Sequence, residues 1–233
     1  MRAADVEREL EALGDPAAAA HARRYFKAGP EQHAEGDRFL GIRVPVLRGL
    51  VRKYRTLPLV EVEWLLRSRY HEARLLALLL LVERYRRAGG KEKEDIVGLY
   101  LQNKDNVNNW DLVDTSAPHL LGPYLWKSGD RRLLDELAAS ASLWERRMAV
   151  MATFYFVRQG EFEPTLRLAR KLLDDPEEMV HKAVGWMLRE VGKRDEKTLL
   201  AFLEENAPRM PRTMLRYATE KLAPEWKRRF RRA

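Results

Sequence analysis

One segment of this chain returns every 35 to 37 residues, and that spacing limits its possible folds more than any other feature. Glu72-Ala73-Arg74-Leu75-Leu76, Asn109-Trp110-Asp111-Leu112-Val113, Glu145-Arg146-Arg147-Met148-Ala149 and Val180-His181-Lys182-Ala183-Val184 align. Their third residues, Arg74, Asp111, Arg147 and Lys182, are 37, 36 and 35 positions apart. A unit of this length holds one pair of helices. Such a pair cannot bury its own apolar face, so copies must stack. A weaker copy runs through Thr213 and Met214, whereas the chain up to about residue 60 does not keep the period.

The surrounding pattern agrees. Leu, Ala, Arg and Glu dominate, alternating Val/Ile/Thr strands are missing, and Pro and Gly punctuate. Breaks are expected at Gly14-Asp15-Pro16, Gly29-Pro30, Gly89-Gly90, Gly122-Pro123, Asp175-Pro176 and Ala207-Pro208. Ser142 with Glu145 reads as a capping box, and Asp175 before Pro176 as an N-cap with proline at N1. Helices joined by short turns form antiparallel pairs. The expectation is therefore an all-α solenoid of HEAT-like helical repeats, an α-α superhelix with a concave face. It makes one domain over 1–233, with a helical cap to about 60 and a basic tail at 225–233.

The repeat register sorts side chains. With Arg74, Asp111, Arg147 and Lys182 as position 0, positions +1, +2 and +5 cluster on one side at about 100° per residue and are expected to be buried. Positions −1, 0, +3 and +4 fall opposite, on the side that lines a groove. That side holds Trp110, Asp111, Asp114 and Thr115, then Arg146, Arg147, Val150 and Met151, then His181, Lys182, Gly185 and Trp186.

Composition narrows the partner. The chain has 233 residues, a formal net charge of +8 and no cysteine. A basic surface attracts polyanions, and the missing thiols exclude disulfides, thiolate metal sites and a cysteine nucleophile. The longest apolar run, Leu75 to Val82, is too short to cross a membrane. The N-terminus lacks a signal-peptide core, and His21, His33, His71, His119 and His181 show no paired metal-binding spacing. No phosphate-cradling glycine loop or serine-hydrolase elbow is present. A cytoplasmic, nucleoid-associated monomer without membrane, metal or cofactor is expected.

Two carboxylates and an indole within Asn108-Asn109-Trp110-Asp111-Leu112-Val113-Asp114 run against that basic background. An acid in a polyanion-binding surface weakens binding, so it suits a place where positive charge develops. Breaking an N-glycosidic bond does this, because the sugar gains oxocarbenium character. A carboxylate about 4 Å away would stabilise that charge by roughly 4 kcal/mol at an effective dielectric near 20, about a thousandfold in rate. Indole faces attract the same cation.

At these residues the chain resembles the AlkD-type DNA alkylation-repair glycosylases, which are built from HEAT-like repeats. The resemblance rests on Asn109 to Asp114, Trp144-Glu145-Arg146-Arg147 and Lys182 to Glu190. Ala22 to Lys27 and Phe39 to Pro45 support it. It implies that Asp114 is the catalytic carboxylate and that Trp110 and Trp186 are aromatic walls at the lesion's sugar-phosphate. It further implies that Arg147 binds phosphate, that Tyr25 is a nearby contact, and that Asp111 is a structural partner of an arginine or amide. It implies release of cationic N3- or N7-alkylated purines from double-stranded DNA without drawing the base into a pocket.

Other readings stand beside these. Asp114 also fits a capping acid, the tryptophans fit core positions, and Tyr25 fits packing of the cap. Arg146 rivals Arg147 for the phosphate, while His181 and Lys182 fit either phosphate contact or a solvated face. For the whole chain, the alternatives are a non-catalytic module that binds damaged or branched DNA and a protein-binding helical scaffold.

Overall fold

The computed structural model describes residues 2–30, 32 and 34–231, with side chains through 230. Among these, fifteen α-helices and two short 3-10 turns form an all-α protein. Among the described residues, the only β-type pairing is an isolated bridge between Arg38 and Tyr70. The chain divides into two compact units, Met1–Ser116 and Ala117–Ala233.

The first unit contains α1 (Ala3–Ala12), α2 (Pro16–Tyr25), α3 (Val44–Tyr54), α4 (Leu59–Leu66), α5 (His71–Arg87), α6 (Gly90–Gln102) and α7 (Trp110–Ser116). Its centre is α5, which packs against α1, α3, α4, α6 and α7. Helices α1 and α3, from the stretch that does not keep the repeat, pack into the same core. Asp15 caps α2 by accepting from the Ala17 and Ala18 amides at 2.9 and 3.1 Å, with Pro16 at N1.

The second unit contains α8 (Leu121–Ser128), α9 (Arg132–Ala138), α10 (Leu143–Arg158), α11 (Glu163–Lys171), α12 (Glu178–Gly192), α13 (Glu196–Asn206), α14 (Arg212–Ala218) and α15 (Pro224–Arg231). The repeat is plain here. Helices α8, α10, α12 and α14 pack in succession, while α9, α11 and α13 connect them. Close approach of neighbouring helices requires glycine. A Cβ at Gly122 would lie 2.6 Å from the Ala152 carbonyl oxygen, and one at Gly185 would lie 2.5 Å from that of Met214. Gly122-Pro123, expected as a break, is thus inside the first turn of α8, where proline is tolerated.

The repeat register correctly locates the core at its +1, +2 and +5 positions. Leu75, Leu76, Leu112, Val113, Ser116, Met148, Ala149, Ala152, Ala183, Val184 and Met187 are all buried, and Leu79 is half-buried. The opposite face departs from expectation in α5 and α10, where Ala73, Arg74, Ala77, Leu78, Arg147, Val150 and Met151 are also buried. Both helices are packed by neighbours on several sides, which buries these positions as well.

Two caps also differ. Ser142 is the N-cap of α10, but its side chain makes no capping bond. Arg146 instead holds that turn, donating to the Ser140 and Ala141 carbonyls at 3.0 and 2.9 Å. The same guanidinium grips Asp175 at 2.6 and 3.2 Å, and α12 starts later than expected, with Glu177 as its N-cap. The basic C-terminal run is helical to Arg231, with Phe230 buried; 232–233 lie outside the described residues, as does His33.

Candidate active site

The N-terminal wall of the site depends on a loop that its own sequence cannot hold in place. Glu72, near the start of α5, accepts from the Leu40, Gly41 and Ile42 amides at 2.9, 2.7 and 3.3 Å. A carboxylate taking three backbone donors offsets its burial. Gly41 has φ +83°, and a Cβ there would stand 2.3 Å from the Asp15 carbonyl oxygen. The loop thus lies directly against the start of α2, and the Asp15 amide donates to the Leu40 carbonyl at 2.8 Å. Helix α2 in turn delivers Tyr25 and the following Phe26.

These rings meet Trp110, the first residue of α7. Phe26 stacks on the indole at a centroid distance of 5.5 Å, and Tyr25 meets it edge-on at 6.1 Å. Tyr25 is 61% exposed and Trp110 half-buried, so this corner presents aromatic surface to solvent. Asp114 lies one turn beyond Trp110 on α7 and is half-buried. Residues four apart share a helix face, so carboxylate and indole are neighbours. Beneath them Tyr100 is fully buried and bonds Ser116 Oγ at 3.0 Å. Burial and the nearby Asp114 charge push its pKa up, outweighing the Ser116 bond, so it stays a neutral phenol.

Asp111 does not point the same way chemically. Its partners are the buried imidazole of His71, at 2.8 Å, and the Leu112 amide, rather than an arginine. Beside this network is a cavity of about 370 Å³ whose walls include Phe26, Phe39, Arg43, His71 and Asp111.

The remaining expected site residues belong to the second unit. Arg146 is committed to Asp175, Ser140 and Ala141, bonds that take four of its five N–H donors. Arg147, expected on an open groove, is only 4% exposed and donates to the Met179 carbonyl of α12. His181 contacts the Asp175 carbonyl at 2.5 Å, and Lys182 pairs with Glu178 at 3.2 Å. Trp186 is half-buried rather than exposed, and its indole N–H donates to Glu190 at 3.2 Å.

A feature not singled out from the sequence adjoins Lys182. Arg212, Thr213 and Arg216 of α14 line a groove of about 680 Å³ together with Glu178. The two arginines are exposed and one turn apart. The weak repeat copy at Thr213 was the signal that could have led to them. Among the described residues, no group of three or more metal-binding side chains occurs, and no helix is long and apolar enough to cross a membrane.

Comparison with known proteins gives this geometry a context. No curated protein matches the sequence. A solved structure described as a predicted DNA alkylation repair enzyme from Enterococcus faecalis shares the fold, with a TM-score of 0.73 and 19% identity. That match covers 91% of this chain and 98% of the other. The sequence also fits the profile of the DNA alkylation repair enzymes across residues 6–222, and the chain belongs to that family.

Proposed function

We propose that this enzyme is a monofunctional DNA glycosylase that hydrolyses the N-glycosidic bond of cationic N3- or N7-alkylated purines in duplex DNA. The observation that carries this reading is the pairing of Trp110 with Asp114 on α7, with Phe26 and Tyr25 bracing the indole.

In the reaction, the bond from C1′ to the purine nitrogen breaks and its electron pair moves to the purine, cancelling the positive charge. C1′ becomes cationic, water oxygen bonds to it, and the water gives up a proton, leaving an abasic sugar. Asp114 stabilises the cationic sugar and orients the water, and Trp110 flanks it. A preorganised carboxylate gains nearly its full value there because it need not reorient during the step. The leaving group is already cationic, so no strong general acid is required. No lysine is assigned as an amine nucleophile, so the strand is left intact.

Phosphate binding falls to Lys182 and His181, extended by Arg212 and Arg216. Arg147 joins them by exchanging its bond to Met179, while Arg146 acts structurally through Asp175. Tyr25 contacts the strand near the lesion.

The test uses duplex DNA containing 7-methylguanine and measures released base. Wild-type protein is expected to release it, and Asp114→Asn to lose roughly a thousandfold in rate while still binding duplex. Equal release by both proteins, or none by wild type, would overturn the assignment.

A further inference from the structure

His71 is the first residue of α5 and is 2% exposed. Its ring packs against both Phe26 and Phe39, with centroids 4.9 and 4.8 Å away, and those two rings stack on each other at 5.2 Å. Nδ1 is 3.1 Å from Asp37 Oδ2, and Nε2 is 2.8 Å from Asp111 Oδ2. Two carboxylates accept only, so both ring nitrogens must donate and the imidazole is cationic. Burial opposes that charge, but the bonds to Asp111 and Asp37 outweigh it and raise the pKa to about 9. Burial likewise pushes Asp37 up, yet His71, Arg74 and Asn108 more than offset this and hold it low.

Other charged groups surround the ring. Arg74 of α5 donates to Asp37 at 2.6 Å and to Asn108 at 3.2 Å. His21 of α2 and Arg43 before α3 stand on the adjoining cavity wall, with Glu72, whose carboxylate is taken by the loop amides.

Helix α7 has only seven residues, too few to hold itself in position. Its first turn is tied down through Asp111 to His71, and the residues leading into it through Asn108 to Asp37 and Arg74. Trp110, between those two anchors, rests on Phe26, the ring that also covers His71. We infer that His71, clamped between Asp37 and Asp111, is the positioning residue of this site, setting the first turn of α7 and with it the placement of Trp110 and Asp114. The inference rests on the glycosylase reading for its kinetic consequences, but not for its structural ones.

The experiment compares Asp111→Ala, Asp111→Asn and His71→Phe with wild type in the full chain. Single-turnover release of 7-methylguanine at saturating protein is expected to fall roughly a hundredfold in Asp111→Ala and His71→Phe, the scale of a small misplacement. Affinity for undamaged duplex should stay within about twofold, so the loss appears in the rate rather than in binding. Asp111→Asn keeps an oxygen acceptor at nearly the same shape and should recover part of the rate. The Trp110 indole N–H resonance should follow a titration near pH 9 in wild type and shift to lower pH in Asp111→Asn. Folded variants that release base at the wild-type rate would overturn the inference, as would a Trp110 resonance indifferent to His71 titration. If wild type releases no base yet Trp110 follows His71, the glycosylase reading fails and the positioning role stands.

Discussion

Trp110 in the first unit rests on Phe26 and meets Tyr25, above a buried cluster in which His71 and Arg74 are shared among Asp37, Asp111 and Asn108. Trp186 in the second unit is held differently. Its N–H donates to Glu190, which also draws Lys193 at 2.6 Å, Arg194 at 3.6 Å and Arg189 at 3.8 Å. In the first arrangement, the ion pairs are removed from water on both sides. In the second, a buried carboxylate is met by cations that reach out into solvent. Desolvated pairs are expensive to break, whereas partly exposed ones are weak and screened by salt. The contrast suggests that the first unit fixes its indole rigidly while the second tolerates adjustment.

Removing Asp37 should disturb the molecule most. Asp37→Ala leaves two buried cations short of a partner, and a loss of about 3–5 kcal/mol in unfolding free energy is expected. Denaturant unfolding measures it; a loss below about 1 kcal/mol would erase the distinction between the units.

The pH dependence comes next. His71 has a folded pKa near 9, above its ordinary 6.5, so its stabilising contribution is complete below pH 6.5 and fades as pH rises through about 9. The amount is at most about 3 kcal/mol. Melting temperatures should drop across that window in wild type and stay flatter in His71→Phe.

Glu190→Gln should be milder, about 1 kcal/mol, because solvent already screens much of its attraction to Lys193 and Arg194. High salt should shrink even that difference. A salt-independent loss as large as that of Asp37→Ala would show the two clusters to be alike.

The smallest effect is expected at α14. Arg212→Ala and Arg216→Ala should each lower the salt slope of duplex binding by about 1, with stability unchanged. Unaltered slopes would remove α14 from the binding surface.

Parts of this were legible before any coordinates. The breaks at Gly14-Asp15-Pro16 and Gly89-Gly90 and the buried +1, +2 and +5 positions depend on neighbours within a few residues, where sequence pattern is strong. The cap at Asp175 differs because Arg146, reaching across 29 residues, takes its carboxylate into an ion pair. Arg147 looked like a groove residue from its phase alone, but neighbours on several sides of α10 bury it. Asp114 and Trp110 stood out because an acid and an indole are unusual together in a basic chain. His71 did not stand out, since a lone histidine at a helix start carries no local signal.

Periodicity alone established an all-α stack of helix pairs, because burying one face of each helix imposes a repeating apolar pattern that needs no distant information. Only the tertiary structure determined which charged groups are taken out of water together. Asp37, His71 and Asp111 are 34 and 40 residues apart in sequence, and their protonation and bonding depend on where three elements converge. Dielectric environment is a property of the surrounding packing, so the chemistry of that cluster was settled by folding rather than by the order of residues around it.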